Sequence, residues 1–556
     1  MMRKTMLGAC AGLSLSLFAG AATAVDPPAP PAPPTAFETD VNTAINRGLD
    51  YLSATGAYDA YPGCGGGVYG ANNQVRGLPL LSLLEKRASG NLNDAPQGYS
   101  GASDSDKQKM RNAVACLLDS ADEVSYYTYY YGNWLMALSL YARTGGPGKG
   151  APGIPNDVDL LGLTDTINKL TDDLLAKQCL ATYSVVSYRG MWSYTSCGDD
   201  SSTTQFAAAG LAGAKAYYLA VGDPGARAPT ITAALAVAGA HYADFGSTAG
   251  SDNGSCDRIE EAEKGHGYHT SYNPSLQQTS SGMWVQLLGG ANVNSAGVQA
   301  YMRWLRNHYR WQDLDSMGNS WPYYSYYYYL WSSMKGLLTI QEGGIAPDAG
   351  NLGANSFGTL AAASDPNPGD TLAGTCAVRQ LHKDTVTVAR PVVFGAGGVG
   401  FYSAQTQSTY FDYAHTLLGY QCADGNFACN GAPDSWESGP DRMGWALLVL
   451  QRSTGGACAD ANNDGKCDEN GGNEGAPILL CDANLDGNIT MTDLNAVYAI
   501  VKSKYPVATT VTPANAWANY NSTGASASTI DINDFWQCYY VGRGMLPKKY
   551  TAGAPD

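Results

Sequence analysis

The chain has 556 residues, a formal net charge of −16 and 13 cysteines. The excess of acidic residues argues against nucleic acid or an anionic membrane surface as a partner, because both repel a negatively charged protein. Since 44% of the residues are hydrophobic and 15% are charged, the composition also excludes an intrinsically disordered chain.

The N-terminus has the parts of a secretory signal over residues 1–24. Arg3 and Lys4 are basic, residues 7–18 are apolar, and the segment ends in small residues. The apolar run is too short to span a bilayer, and residues 25–36 form a proline-rich linker. We therefore expect a secreted protein, extracellular or periplasmic, with no transmembrane segment after the signal is cleaved.

Cysteine usage agrees with an oxidising compartment. Removal of Cys10 with the signal leaves an even number of cysteines, and no C-x-x-C pair indicates a zinc site. Close spacing predicts local disulfides, and a longer clasp is a further candidate. The local pairs are Cys179/Cys197, Cys422/Cys429 and Cys458/Cys467, and the clasp is Cys481/Cys538.

Apolar residues then recur at helical spacing in twelve segments separated by glycine-rich loops. In order, these segments make six helical hairpins, which can close into a double ring that buries both faces of the inner helices. The segments are 37–55, 75–87, 106–120, 126–143, 157–180, 201–221, 229–243, 275–290, 295–308, 322–341, 407–421 and 437–454.

Several of these segments carry the marks of a known repeat. Residues 200–218 (DSSTTQFAAAGLAGAKAYY), 265–290 (GHGYHTSYNPSLQQTSSGMWVQLLGG) and 410–453 resemble the prenyltransferase and squalene-oxidase repeat of the terpenoid cyclase and protein prenyltransferase superfamily. The resemblance implies an all-α fold, an (α/α)6 toroid over residues 37–455. It also implies that the second helix of each hairpin lies inside, with its N-terminal end facing a central funnel.

Residues 343–402 interrupt the helical pattern. A loop rich in glycine, alanine, asparagine and proline is followed by residues 384–402, which alternate like a β-hairpin. This insertion is either a flap on the rim of the ring or a disordered segment.

The most complete motif is an EF-hand-type loop at residues 482–493. Calcium takes six to eight oxygen ligands, and this loop offers oxygens at the required positions, with Gly487 at the sharp turn. The sequence therefore predicts calcium as the cofactor. The predicted ligands are Asp482, Asn484, Asp486, Asn488, Thr490 and Asp493.

Residues 481–545 as a whole resemble a type I dockerin. The resemblance implies docking onto a cohesin-like or other cell-surface protein. Its second half, 519–534, lacks several carboxylates, so tight calcium binding is not expected there. The preceding linker, 456–480, holds an acidic turn that is either a second calcium site or a solvated turn. The candidate ligands of that turn are Asp460, Asn462, Asp464 and Asp468.

Two tyrosine-rich runs open the predicted helices at 126–143 and 322–341. A tyrosine ring has an apolar face and a polar tip, which suits stacking on a sugar ring or an apolar chain. One helix face cannot hold a whole run, so part of each run must pack between helices. The candidate ligand-binding residues are Tyr127, Tyr130, Trp134, Tyr324, Tyr327, Trp331 and His415.

The sequence offers fewer candidate catalytic residues than candidate ligand-binding residues. His269 beside Tyr268 can pair a general base with an acid, or can simply be a hydrogen-bonded histidine. The Asp-x-Cys pair of zinc-dependent prenyl transfer is absent from the predicted inner-helix starts. The Asp-rich motif of hopene-type cyclases is approached only by Asp313 and Asp315, one acid short.

These observations leave several functions open. The first is a secreted calcium-binding protein whose aromatic funnel holds an extended ligand, a glycan above all, while the C-terminal module docks or stabilises. The second is a polysaccharide lyase or glycoside hydrolase, with Arg189, Asp199 and Asp200 as further candidate members of its site. A terpenoid cyclase-like enzyme and a purely structural role at the cell surface are further alternatives.

Overall fold

A computed structural model describes most of the helical region. The described ranges are 34–64, 76–92, 94–157, 160–222, 225–247, 264–291, 295–307, 325–342, 409–433 and 439–453, with a few residues between 494 and 539. The predicted signal at 1–24, the insertion at 343–402, the acidic turn and the predicted calcium loop at 482–493 lie outside the described residues, so the expectations for them stay predictions.

Within these ranges the chain is helical, as predicted, and each helix overlaps one predicted segment. Val186–Tyr188 forms a short 3-10 helix, and Thr509–Thr510 pairs antiparallel with Thr529–Ile530. The α-helices are α1 (Ala36–Ala54), α2 (Gly77–Leu84), α3 (Asp104–Glu123), α4 (Thr128–Arg143), α5 (Leu163–Lys177), α6 (Ser201–Val221), α7 (Arg227–Phe245), α8 (Leu276–Leu288), α9 (Ala296–Asn307), α10 (Tyr326–Glu342), α11 (Thr409–Tyr420) and α12 (Gly439–Leu450).

Polar caps start several of these helices, because the first backbone N–H groups of a helix need external acceptors. At α1, Thr35 and Glu38 form a capping box, in which each side chain accepts from the other's backbone N–H. The side chains of Asp200 and Ser275 cap α6 and α8 by accepting hydrogen bonds from backbone N–H groups of the first turn.

The even-numbered helices contact one another in a cycle. Helix α2 packs on α4, α4 on α6, α6 on α8, α8 on α10 and α10 on α12, and α12 packs on α2. The odd-numbered helices pack against this cycle, as α7 does on α6 and α8. Helices α4, α6 and α8 are therefore buried along nearly their whole length, whereas α1 and α5 bury one face.

Helices α4 and α6 approach very closely because glycines face each other. A Cβ on Gly210 would come within 2.6 Å of the carbonyl oxygen of Gly132, and a Cβ on Gly132 would meet the backbone of Phe206. Glycine at both positions lets the two backbones touch, which brings the first turns of α4 and α6 together.

Two of the expected local disulfides are confirmed, Cys179–Cys197 and Cys422–Cys429. A further disulfide, Cys64–Cys116, spans 52 residues and has no spacing signal in the sequence. Cys538 is also disulfide-bonded. None of the helices in the described ranges has both the length and the apolar character needed to span a bilayer.

Candidate functional site

A cavity of about 830 Å³ lies where the first turns of four even-numbered helices meet. Its lining includes Tyr129 from α4, Ser202 from α6, Gln278 from α8 and Tyr328 from α10. The described residues around it supply tyrosine rings, hydroxyls, amides and one imidazole, with no Asp, Glu, Lys or Arg side chain among them. The cavity is therefore aromatic and, at its surface, close to neutral.

One wall of the cavity is the segment 264–275 that leads into α8. Its backbone is fixed to the start of α6, because Ser201 N donates to the Tyr268 carbonyl over 3.1 Å. Thr270 N also donates to the Asp199 carboxylate over 2.9 Å. These bonds hold the segment in place and turn Tyr268, His269 and Tyr272 towards the cavity.

A chain of hydroxyl groups runs from the cavity to the buried carboxylate of Asp200. One Asp200 oxygen caps α6 by accepting from the N–H groups of Ser202 and Thr203, both over 3.0 Å. The other oxygen accepts from the Tyr268 hydroxyl over 2.5 Å, and the hydroxyls of Tyr268 and Tyr194 are 2.6 Å apart. A carboxylate only accepts hydrogen bonds, so the Tyr268 hydroxyl donates its hydrogen to Asp200. The Tyr194 hydroxyl must then donate to the Tyr268 oxygen.

The tyrosine hydroxyls at this site are held in their neutral form. Burial first, and then the charge of Asp200, raises the pKa of Tyr268 well above its ordinary value. Burial likewise raises the pKa of Tyr194, and it raises the pKa of Tyr127 to about 12. At neutral pH these groups therefore act as hydrogen-bonding hydroxyls.

The tautomer of His269 follows from its partner. Its Nδ1 lies against the backbone carbonyl of Asp199, which can only accept, so Nδ1 carries the hydrogen. In the neutral ring Nε2 is then an acceptor. The ring is 4.7 Å from that of Tyr268 and 4.9 Å from that of Tyr272, centroid to centroid, so His269 lies between two tyrosines of the wall.

The floor of the cavity is a buried hydrogen-bond cluster centred on Gln205. Its side-chain oxygen accepts from the hydroxyls of Tyr328 over 2.7 Å and Ser332 over 2.9 Å, and also from Ser281. These bonds join α6, α8 and α10 below the cavity and fix the ring of Tyr328. Nearby, the Oε1 atom of Gln278 is buried with no hydrogen-bond partner in the described part of the chain.

Aromatic rings also define the opening. The rings of Tyr129 and Tyr194 stack with centroids 5.8 Å apart and planes 28° apart, and Tyr127 lies 5.4 Å from Tyr194. Tyr194 is 37% exposed and Tyr272 is 56% exposed, whereas Tyr129 is 5% exposed. The aromatic lining thus extends from the buried ring of Tyr129 to the exposed rings of Tyr194 and Tyr272 at the opening.

Three of the candidate residues from the sequence line this cavity: Tyr127, Tyr268 and His269. Others do not. Trp331 packs 5.3 Å from Phe206 in the core, and Tyr327 is buried and donates to the Phe427 carbonyl over 2.6 Å. Neither residue lines this cavity. Each residue turns a helix by about 100°, so Tyr328 faces the cavity whereas the adjacent Tyr327 packs in the core.

The remaining candidates in the described ranges also lie away from the cavity lining. Trp134 is fully buried, whereas Tyr130, which stacks on it at 5.5 Å, is half-buried and lies 4.7 Å from the ring of Tyr127; neither residue lines the cavity. His415 is 2% exposed and lies 5.5 Å from the ring of Phe411 in the core. Arg189 donates to the Tyr183 carbonyl and does not line the cavity.

Several candidates fall outside the described residues: Tyr324, Asp313, Asp315, the calcium ligands at 482–493 and the acidic turn at 456–480. Sequence reasoning missed Tyr129, Tyr194, Gln278 and Tyr328. Tyr129 and Gln278 carried a usable signal, since both stand in the first turn of a predicted inner helix. Tyr328 stands in the second turn of its predicted helix, 322–341, because the observed helix begins only at Tyr326. Tyr194 had no such signal, because a loop residue has no periodicity to place it.

No model of a known protein family matches the sequence, and no curated protein matches it as a relative.

Proposed function

We propose that the protein binds a carbohydrate in this cavity. The observation that carries the proposal is the lining itself, which combines several tyrosine rings with uncharged hydroxyl and amide groups. The C–H faces of a sugar ring stack on aromatic rings, while its hydroxyls need hydrogen-bond partners that are already in position. The hydroxyls of Tyr268 and Tyr328 are held by hydrogen bonds to Asp200 and Gln205, so these partners are fixed before a ligand arrives.

The exposed rim supports an extended ligand. Tyr194 and Tyr272 line the cavity and are also exposed, so a chain seated inside can continue across their rings into solvent. A cavity of about 830 Å³ is within the usual range for small-ligand pockets. It is large enough for a few sugar units, with the rest of a chain outside.

The proposal includes the fold. The twelve helices are taken as an (α/α)6 toroid, with the even-numbered helices inside and their N-terminal ends at the funnel. Its support is the cycle of contacts from α2 through α12 back to α2, and the position of the cavity at the first turns of α4, α6, α8 and α10. The C-terminal module is taken as a calcium-binding, dockerin-like unit, supported by the residue order Asp482 to Asp493.

The test is binding of neutral and charged oligosaccharides to the full secreted chain, measured by calorimetry after a glycan-array screen. Tyr194→Ala and Tyr272→Ala remove exposed rings at the rim and should each weaken binding about fivefold, since one ring–sugar contact contributes about 1 kcal/mol. Tyr183→Ala is the matched control, because Tyr183 is 39% exposed and is not among the cavity residues. Absence of any glycan binding to the unaltered chain would overturn the proposal.

A second candidate function is cleavage of the bound polysaccharide. The observation that favours it is the pairing of an acceptor nitrogen, His269 Nε2, with the hydroxyl chain of Tyr268 at the same cavity. Incubation with a panel of polysaccharides, followed by assay for new reducing ends and unsaturated products, tests it. Turnover that His269→Gln abolishes would support an enzyme, and binding without any product would exclude one for the polymers tried.

A further inference from the structure

Building on the proposed carbohydrate site, we propose that the cavity selects uncharged saccharides that donate hydroxyl hydrogens, and that Asp200 sets this preference without touching the ligand. Asp200 acts through Tyr268 and Tyr194, and it is therefore a positioning residue. The inference names the substrate class, neutral glycans, and it excludes polyuronates.

The hydrogen bonds between Asp200 and the cavity all run in one direction. Asp200 takes the hydrogen of Tyr268, and Tyr268 in turn accepts the hydrogen of Tyr194. Both hydroxyl hydrogens are thus committed inside the protein, and the oxygen of Tyr194 has lone pairs left for a ligand. At Tyr194, where this chain of hydroxyls reaches the cavity, the protein therefore accepts a hydrogen bond from the ligand.

Two neighbouring side chains, His269 and Gln278, also present hydrogen-bond acceptors. His269 commits its hydrogen at Nδ1 to the Asp199 carbonyl, which leaves Nε2 as an acceptor. The buried Gln278 Oε1 has no donor partner within the described ranges, and a buried polar atom without a partner is costly. A sugar hydroxyl can donate to each of these acceptors, whereas a carboxylate can donate to none.

The negative charge of Asp200 also disfavours an anionic ligand. Asp200 is 2% exposed, and its nearest cavity-facing neighbours are neutral hydroxyls. A carboxylate on a bound sugar would lie near this buried negative charge in a poorly screened environment, with Asp199 close by. No Lys or Arg is found among the described lining residues to offset the repulsion.

The charge is also more than the helix requires. The cap of α6 uses one Asp200 oxygen, which accepts from Ser202 N and Thr203 N. Asparagine or serine caps a helix about as well as aspartate does. A neutral capping residue would not place a second, negatively charged oxygen against the Tyr268 hydroxyl, as Asp200 does.

The experiment compares cellohexaose, xylohexaose and mannohexaose with hexamers of galacturonate and mannuronate, by calorimetry on the full chain. We expect the best neutral ligand to bind at least about tenfold tighter than any uronate. Asp200→Asn keeps a cap and removes the charge, so it should reduce that ratio to about threefold or less. Asp172→Asn is the control, because Asp172 pairs with Arg227 and does not line the cavity; it should leave the ratio unchanged.

The outcomes separate the two claims. Uronates that bind as tightly as the neutral hexamers, or an unchanged ratio in a folded Asp200→Asn variant, would overturn the inference and leave the carbohydrate site standing. A failure of every saccharide to bind the unaltered chain would overturn the carbohydrate site and this inference with it. Thermal unfolding of each variant establishes that it is folded before its ratio is interpreted.

Discussion

The hydroxyl of Tyr268 donates to the carboxylate of Asp200 over 2.5 Å, although 68 positions separate them in the chain. This bond joins the wall segment before α8 to the first turn of α6. The bond links helix packing to the polarity of the cavity, because the same carboxylate caps a helix and orders two tyrosine hydroxyls. Changes at either residue should therefore affect both stability and binding.

Tyr268→Phe should lower the free energy of unfolding by about 2 kcal/mol, because it removes a hydrogen bond to a buried charged group. Urea unfolding measures this change. The variant should also bind neutral saccharides more weakly, since Tyr194 loses its acceptor and can turn its hydrogen outwards. Tyr183→Phe is the control and should change stability by less than about 0.5 kcal/mol. Equal effects from both substitutions would contradict the role given to the Tyr268 hydroxyl.

Removal of the Cys179–Cys197 disulfide should affect both stability and ligand binding. Its sequence separation is 18, and a loop of that size contributes about 3 kcal/mol. Tyr194 lies inside the loop, so the paired serine variant should also bind saccharide more weakly. Removal of Cys422–Cys429, which encloses no cavity residue, should lower stability alone. Calorimetry and thermal unfolding of both paired variants check this, and weaker binding in both would argue against a local effect at Tyr194.

Acid should destabilise the protein partly through His266. Burial lowers the pKa of this histidine to about 4, against an ordinary value near 6.5. Between these values the unfolded chain binds more protons, so stability falls as the pH falls. The slope is about 1.4 kcal/mol per pH unit for one histidine. His266→Gln should remove this part of the slope.

The comparison must be made as a difference between His266→Gln and the unaltered chain. Burial raises the pKa of Asp199, and that carboxyl contributes in the opposite direction, gaining stability as the pH falls. Burial lowers the pKa of His241, whose ring lies 5.7 Å from that of His266, to about 3, so its destabilising effect in acid overlaps that of His266 and extends to lower pH. Urea unfolding at a series of pH values gives the slopes, and identical slopes would show that His266 does not titrate as described.

Calcium binding can be tested in the full chain after treatment with a chelator. We expect calorimetry to detect at least one calcium ion, and the double variant Asp482→Ala, Asp486→Ala should lose one binding event because two carboxylate ligands are gone. Asp460→Ala distinguishes a second site from a solvated turn, since it lowers the number of ions only if that turn binds one. An undiminished stoichiometry in the double variant would contradict the loop assignment.

The helices could be located from the sequence because each carries its own periodicity. Every described helix overlaps a predicted segment, and the caps at Thr35 and Asp200 mark their starts with ordinary capping residues. The two local disulfides followed from spacing in the same way. All of these features depend on residues close together in the chain.

The site could be predicted only in part, because it is made by residues that are distant in the chain. Tyr268 and His269 were singled out for their chemistry, but their partners Asp200 and Tyr194 come from another loop. The side of the helix on which each tyrosine lies was harder to predict. Tyr327 and Tyr328 are adjacent in the chain, but Tyr328 faces the cavity and Tyr327 packs in the core. Periodicity alone has too little resolution to settle such a choice in a run of tyrosines.

The cyclic packing of the even-numbered helices has a consequence for unfolding. In an open array of repeats the last unit has one neighbour and can peel away while the rest stays folded. Here α12 returns to α2, and α1 packs on both α11 and α12, so the first and last helices support each other. Neither end can fray without opening an interface on the opposite end, and the helical region should melt in a single cooperative transition with no early loss of a terminal hairpin.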